Sequence, residues 1–84
     1  MGRKDFPEFG PRLRALRLER RLTIEQAAEA VGIERVVMNR YELGIRVPET
    51  AHALASLCRL YNVSSDYLLG LIDERRPWPP QQST

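Results

Sequence analysis

The chain holds a single cysteine, Cys58, and a single histidine, His52. One cysteine excludes an internal disulfide, and the two residues together fall short of a Cys/His metal cluster. No apolar run approaches the roughly 20 residues that a membrane helix needs. The opening MGRKDFPEFG lacks the apolar centre of a secretory leader. Met-Gly begins a myristoylation signal, but Phe6 stands where Ser or Thr is wanted. No paired carboxylates, no Ser/His/Asp or Cys/His set and no phosphate loop has a workable spacing, so no enzymatic activity is expected. Neither a strand pattern nor an internal repeat is present. These absences predict a cytoplasmic protein with no metal, no cofactor and no membrane partner.

What remains is 84 residues, 43% hydrophobic and 29% charged, which is the composition of one small globular domain. A core of that size leaves little stability to spare, and dimerisation would add to it. The net charge of +2 is unevenly placed. Residues 1–21 carry seven Lys/Arg against three Asp/Glu, or +4, whereas residues 22–47 and 48–84 each carry three against four, or −1. Such an end suits a polyanion partner, and equally a solvated Arg-rich helix face.

The spacing of apolar residues predicts an all-α fold, a compact bundle of five helices. Pro11 suits the first turn of a first helix, with Phe9, Leu13 and Leu16 as its apolar stripe. Thr23 and Gln26 form a capping-box pattern at the start of a second helix, whose inner face is Ala27, Ala28 and Val31. Gly32 ends it after about two turns. The third helix is ERVVMNRYEL, closed by Gly44. A short turn at Gly32 makes the second and third helices a helix-turn-helix. Met38 and Tyr41 then point inward, and positions 35, 36, 39, 40 and 43 fall on the opposite side. Pro48 is expected in the first turn of a fourth helix, with Leu54, Leu57, Cys58 and Tyr61 inward, Cys58 as a buried thiol rather than a redox sensor, and His52 on the solvent side. Asn62 is expected to take a left-handed stop. Ser64 or Ser65 caps a last helix that contributes Tyr67 and Leu68, with Leu71 and Ile72 as an extension that could serve a dimer.

From Phe9 to Gly70 the chain resembles the lambda-repressor-like (Xre/Cro-type) helix-turn-helix domains of phage repressors and related regulators. The matching stretches are FGPRLRALRLERRLTIEQAAEAVGIERVVMNRYELGIRVPE and LASLCRLYNVSSDYLLG. The resemblance implies a sequence-specific regulator, a repressor, acting as a dimer on a pseudo-palindromic operator in double-stranded DNA, with the third helix in the major groove. It implies base contacts from Arg35, Val36, Asn39 and Arg40. Arginine suits guanine O6 and N7, and a valine suits a thymine methyl. It implies phosphate contacts from Arg17, Thr23, Ile24, Leu43 and Arg46, and an ion pair between Arg17 and Glu42 that is structural, phosphate-directed or both. Arg12 and Arg14 are expected to strengthen binding to any duplex.

Several positions depart from the family's pattern. Ile24 stands where Gln is common, leaving Thr23 and backbone N–H groups for phosphate. Glu34 replaces a Ser or Thr cap, and valines occupy 36 and 37. Arg21 stands where Gly is common, so it either takes a left-handed shape or lengthens the first helix. A less polar third helix admits another function, a protein-interaction module such as an antitoxin or adaptor, with Val36, Leu43, Ile45 and Val47 as its patch. The domains expected are a flexible arm at 1–8, the helix-turn-helix at 9–72, and a Pro-rich tail without fixed structure at 73–84. Within that tail Trp78 is a candidate anchor for a protein partner.

Overall fold

A computed structural model describes residues 5–79. Among these, five helices follow in order: α1 (Phe9–Glu19), α2 (Ile24–Val31), α3 (Arg35–Glu42), α4 (Ala51–Tyr61) and α5 (Ser65–Leu68). The architecture is the expected all-α bundle, with α2 and α3 as its helix-turn-helix.

Three helices start on hydroxyl caps. The Thr23 hydroxyl oxygen accepts from the Gln26 N–H at 3.0 Å while the Gln26 side chain accepts from the Thr23 N–H at 2.8 Å. The Thr50 hydroxyl accepts from the Ala53 N–H at 3.1 Å, and the Ser64 hydroxyl from the Tyr67 N–H at 3.2 Å. This places the start of α4 beyond Pro48, which lies in the preceding loop. The reason is chemical: Thr50 offers an acceptor to an orphan helix N–H, and proline has none to offer.

The five stops share one hydrogen-bond pattern. After each helix a residue of positive φ turns the chain, and the next N–H, that of an apolar residue, reaches back to the carbonyl five positions earlier. The turning residues are Arg21, Gly32, Gly44, Asn62 and Gly70. The apolar residues behind them are Leu22, Ile33, Ile45, Val63 and Leu71. Arg21 has φ 56°, so it accepts the left-handed shape and α1 is not lengthened. A side chain there carries a steric cost that glycine would not. Gly70 likewise stops α5, so Leu71 and Ile72 do not extend it.

Buried side chains from every helix meet in one core, among them Phe9, Leu13, Met38, Leu57, Cys58, Tyr61 and Leu68. Phe9 meets Tyr41 edge-on, with ring centres 6.1 Å apart. α1 and the end of α3 approach closely at Gly10. A Cβ there would lie 2.6 Å from the Glu42 carbonyl oxygen and 3.0 Å from the Gly44 nitrogen. Only a residue without a side chain lets α1 lie against the end of α3 in this way.

Two expectations about the ends need correction where residues are described. Phe6, placed by the sequence in a loose arm, packs against the core, and its carbonyl accepts from the Phe9 N–H at 3.2 Å. Residues 73–79 are not a tail without structure. Arg75 holds Glu19 of α1 through both terminal nitrogens. The Arg76 carbonyl accepts from the Ser64 N–H at 2.7 Å, and the Trp78 N–H donates to Asn62 at 3.1 Å. Trp78 itself packs against the core. Low apolar content correctly denies this segment a core of its own, but it does not prevent the segment from lying on another. The remainder of both expectations, residues 1–4 and 80–84, lies outside the described residues. No helix among the described residues is long and apolar enough to cross a membrane.

Candidate nucleic-acid interface

α3 is divided lengthwise. Met38, Tyr41 and Glu42 are buried, and Val37 is half-buried. Arg35, Val36, Asn39, Arg40 and Leu43 are exposed and share the other side, as the helical period requires. Two observations hold this face outward. The short turn at Gly32, with φ 75°, folds α2 back so that its N-terminus lies beside that of α3. The Gly10 contact fixes the other end of α3 to α1.

The Arg17–Glu42 pair ties the same two helices. Arg17 donates from Nε to Glu42 Oε2 at 2.7 Å and from Nη2 to Oε1 at 3.1 Å, and Nη1 donates to the Leu22 carbonyl at 2.9 Å. The side chains are 12% and 4% exposed. The hydrogen bond with Glu42 raises the Arg17 pKa above its ordinary value, so the guanidinium stays charged. In this state all three of its nitrogens serve the fold. Nearby, Tyr61 is buried, and its hydroxyl has no partner among the described residues. Burial first, and the Glu42 charge second, push its pKa up to about 12.

An open cavity of about 510 Å³ runs between α1, α2 and α3. It brings together Arg17, Thr23, Ile24 and Leu43, expected at phosphates, with Arg35 and Asn39, expected at bases. Arg14 also lines it. Val36 and Arg40 lie outside this cavity on the exposed face of α3, and Arg46 lies exposed in the loop beyond it.

Arg12 does not join this set. Its Nη1 donates to the carbonyls of Tyr67 and Ile72 at 2.7 and 2.6 Å, and its Nη2 to Asp73 at 2.8 Å. Its guanidinium also lies 4.3 Å from the centre of the Tyr67 ring. It is an internal clasp on the far side of α1, engaged within the fold where the sequence reading expected it to strengthen binding to any duplex. Val47 also leaves the apolar patch proposed for a protein partner, because it packs against the core. Val36, Leu43 and Ile45 stay exposed, at 48%, 56% and 58%.

One residue lining this cavity escaped the sequence reading. Glu25, in the first turn of α2, lies in the cavity with its Oε2 3.5 Å from Arg35 Nε. Its position one residue after Ile24, at a helix end folded beside the start of α3, was the available signal. Among the described residues no group of three or more Cys, His, Asp or Glu is placed to hold a metal ion.

With the arrangement of α1, α2 and α3 established, the chain belongs to the helix-turn-helix domain family, whose shared pattern residues 8–69 match. Its relatives include the uncharacterized HTH-type transcriptional regulator YobD of Bacillus subtilis (strain 168). It is 46% identical over 66 residues, covering 79% of this chain and 58% of that protein. The HTH-type transcriptional regulator ImmR of the same organism is 43% identical over 62 residues, covering 74% of this chain and 48% of that protein. The chain spans about half the length of the curated relatives it matches.

Proposed function

We propose that this chain is a DNA-binding transcription regulator, a repressor that acts as a cytoplasmic dimer on a pseudo-palindromic operator, with α3 in the major groove. The observation that carries the reading is the cavity in which Arg14, Arg17, Thr23 and Ile24 flank Arg35 and Asn39. The Thr23 hydroxyl, the Arg14 guanidinium and the N–H groups at the start of α2 suit a phosphate, beside side chains suited to base edges, and this supports the reading. Arg40 and Val36 continue that edge along α3. The names of the relatives support the same class.

The test is selection from a random double-stranded library at low salt, followed by salt titration of the winner. An inverted repeat bound with affinity that falls steeply as salt rises is the expected result. Arg35→Ala and Arg40→Ala are each expected to cost about 1–3 kcal/mol on that site and to relax preference at one base pair. Equal losses on every sequence would remove the base-reading role.

A second reading rests on the exposure of Val36, Leu43 and Ile45. Apolar side chains on α3 also suit a protein partner. That reading predicts no enrichment of any sequence and no salt-dependent DNA affinity.

A further inference from the structure

We infer that Glu25 is a positioning residue for base recognition, one that fixes how Arg35 presents its guanidinium. The inference rests on the DNA-binding reading above and deepens it. Arg35 is the first residue of α3 and Glu25 lies in the first turn of α2, so the pair bridges the two arms of the helix-turn-helix. Both side chains are exposed, 64% for Arg35 and 71% for Glu25. An ion pair this open adds little to folding stability. Its effect is geometric instead. Glu25 Oε2 stands 3.5 Å from Arg35 Nε, the nitrogen on the inner edge of the guanidinium. Among the described residues neither Nη1 nor Nη2 of Arg35 makes a hydrogen bond, and the nearest approach of Glu25 is to Nε. A guanidinium held at Nε retains its terminal pair of nitrogens, a planar fork that matches guanine O6 and N7. The side-on approach through Nε and Nη2 is closed to it. Arg40 supplies the contrast, since no carboxylate among the described residues holds it.

The same carboxylate carries a cost. Glu25 shares its cavity with Arg14, Arg17 and Thr23, where a phosphate would come. Its charge opposes every duplex alike, so it lowers general affinity while it sharpens one contact. A residue kept only for charge would do the first without the second.

The experiment measures Glu25→Gln and Glu25→Ala in the full chain, on the selected operator, on its three variants at the base pair read by Arg35, and on random duplex. Circular dichroism confirms folding. Affinity for random duplex is expected to rise several-fold. Discrimination at the Arg35 base pair is expected to fall about five- to tenfold, part of what a bidentate contact provides. The base pair read by Arg40 keeps its preference. In an Arg35→Ala background the Glu25 substitution is expected to change affinity but no longer to change preference. A uniform rise on all sequences, with discrimination intact, overturns the inference and leaves the DNA-binding reading standing. A wild-type chain that selects no sequence removes both.

Discussion

Arg12 and Arg17 stand five residues apart on α1, on opposite sides of it, and each guanidinium joins a near neighbour to partners from distant parts of the chain. Arg17 faces α3 and holds Glu42 through two nitrogens. Arg12 faces away and gathers the carbonyls of Tyr67 and Ile72 with the carboxylate of Asp73. The first side of α1 sets the pose of the exposed α3 face, and the second fastens the segment that follows α5. One helix thus serves two unrelated attachments, and a basic helix face by itself says little about DNA. Arg14, with neither job, is the arginine left for a ligand.

The comparison can be broken most forcefully at Arg17. Arg17→Ala leaves the Glu42 carboxylate buried without its counter-ion, and about 3–5 kcal/mol of stability is expected to go. Urea denaturation followed by circular dichroism measures it. Arg12→Ala removes charge-assisted hydrogen bonds from a less enclosed place and is expected to cost about 2 kcal/mol. Under conditions where this variant stays folded, its DNA affinity should equal the parent's, whereas Arg14→Ala should bind every duplex more weakly without loss of stability. A drop in DNA affinity for folded Arg12→Ala would erase the division between the two sides. Next comes the end of the helix. Arg21→Gly relieves a side chain at φ 56° and is expected to raise stability by up to about 1 kcal/mol, read as a higher urea midpoint.

The smallest effect belongs to Glu19 and is a matter of pH. The hydrogen bond from Arg75 holds the Glu19 carboxyl below its ordinary value, opposed by desolvation and aided by the charges of Arg75 and Arg20. The folded chain therefore binds fewer protons at this carboxyl than the unfolded chain does, and stability rises with pH through that range. The contribution is complete above the ordinary value of 4.5 and disappears as acid protonates the folded group. Glu19→Gln should flatten this part of the acid limb by lowering the neutral plateau slightly, with stability in acid nearly unchanged. An identical acid limb in parent and variant would show that the Arg75 contact has no weight in solution.

The sequence was informative where a local pattern carries the information. The Thr23 and Gln26 spacing, the stop at Gly32 and the left-handed Asn62 each follow from chemistry within one turn of chain. The split of α3 into Met38 and Tyr41 inward and positions 35, 36, 39, 40 and 43 outward follows from its period. The Arg17–Glu42 pair came only through resemblance, because no spacing rule joins residues 25 apart. What stayed hidden depends on partners far along the chain. Arg12 looked like any other arginine on a basic helix until residues 67, 72 and 73 were found around it. Gly10 had no local signature, since the backbone it must admit belongs to α3. Residues 73–79 carried a composition that forbids an independent core and is silent about lying on one already made.

The lengthwise division of α3 has a consequence for how such a protein can change. Met38, Tyr41 and Glu42 answer to the bundle, and positions 35, 36, 39, 40 and 43 face outward, with the exposed pair of Arg35 and Glu25 their one ion pair to the rest of the fold among the described residues. Five letters can therefore be rewritten while the scaffold is held constant. Transplanting another family member's outward residues onto this helix should yield a chain of unaltered melting behaviour with the donor's preference. New targets lie a few substitutions away, and none of the intermediates needs to pass through an unfolded form.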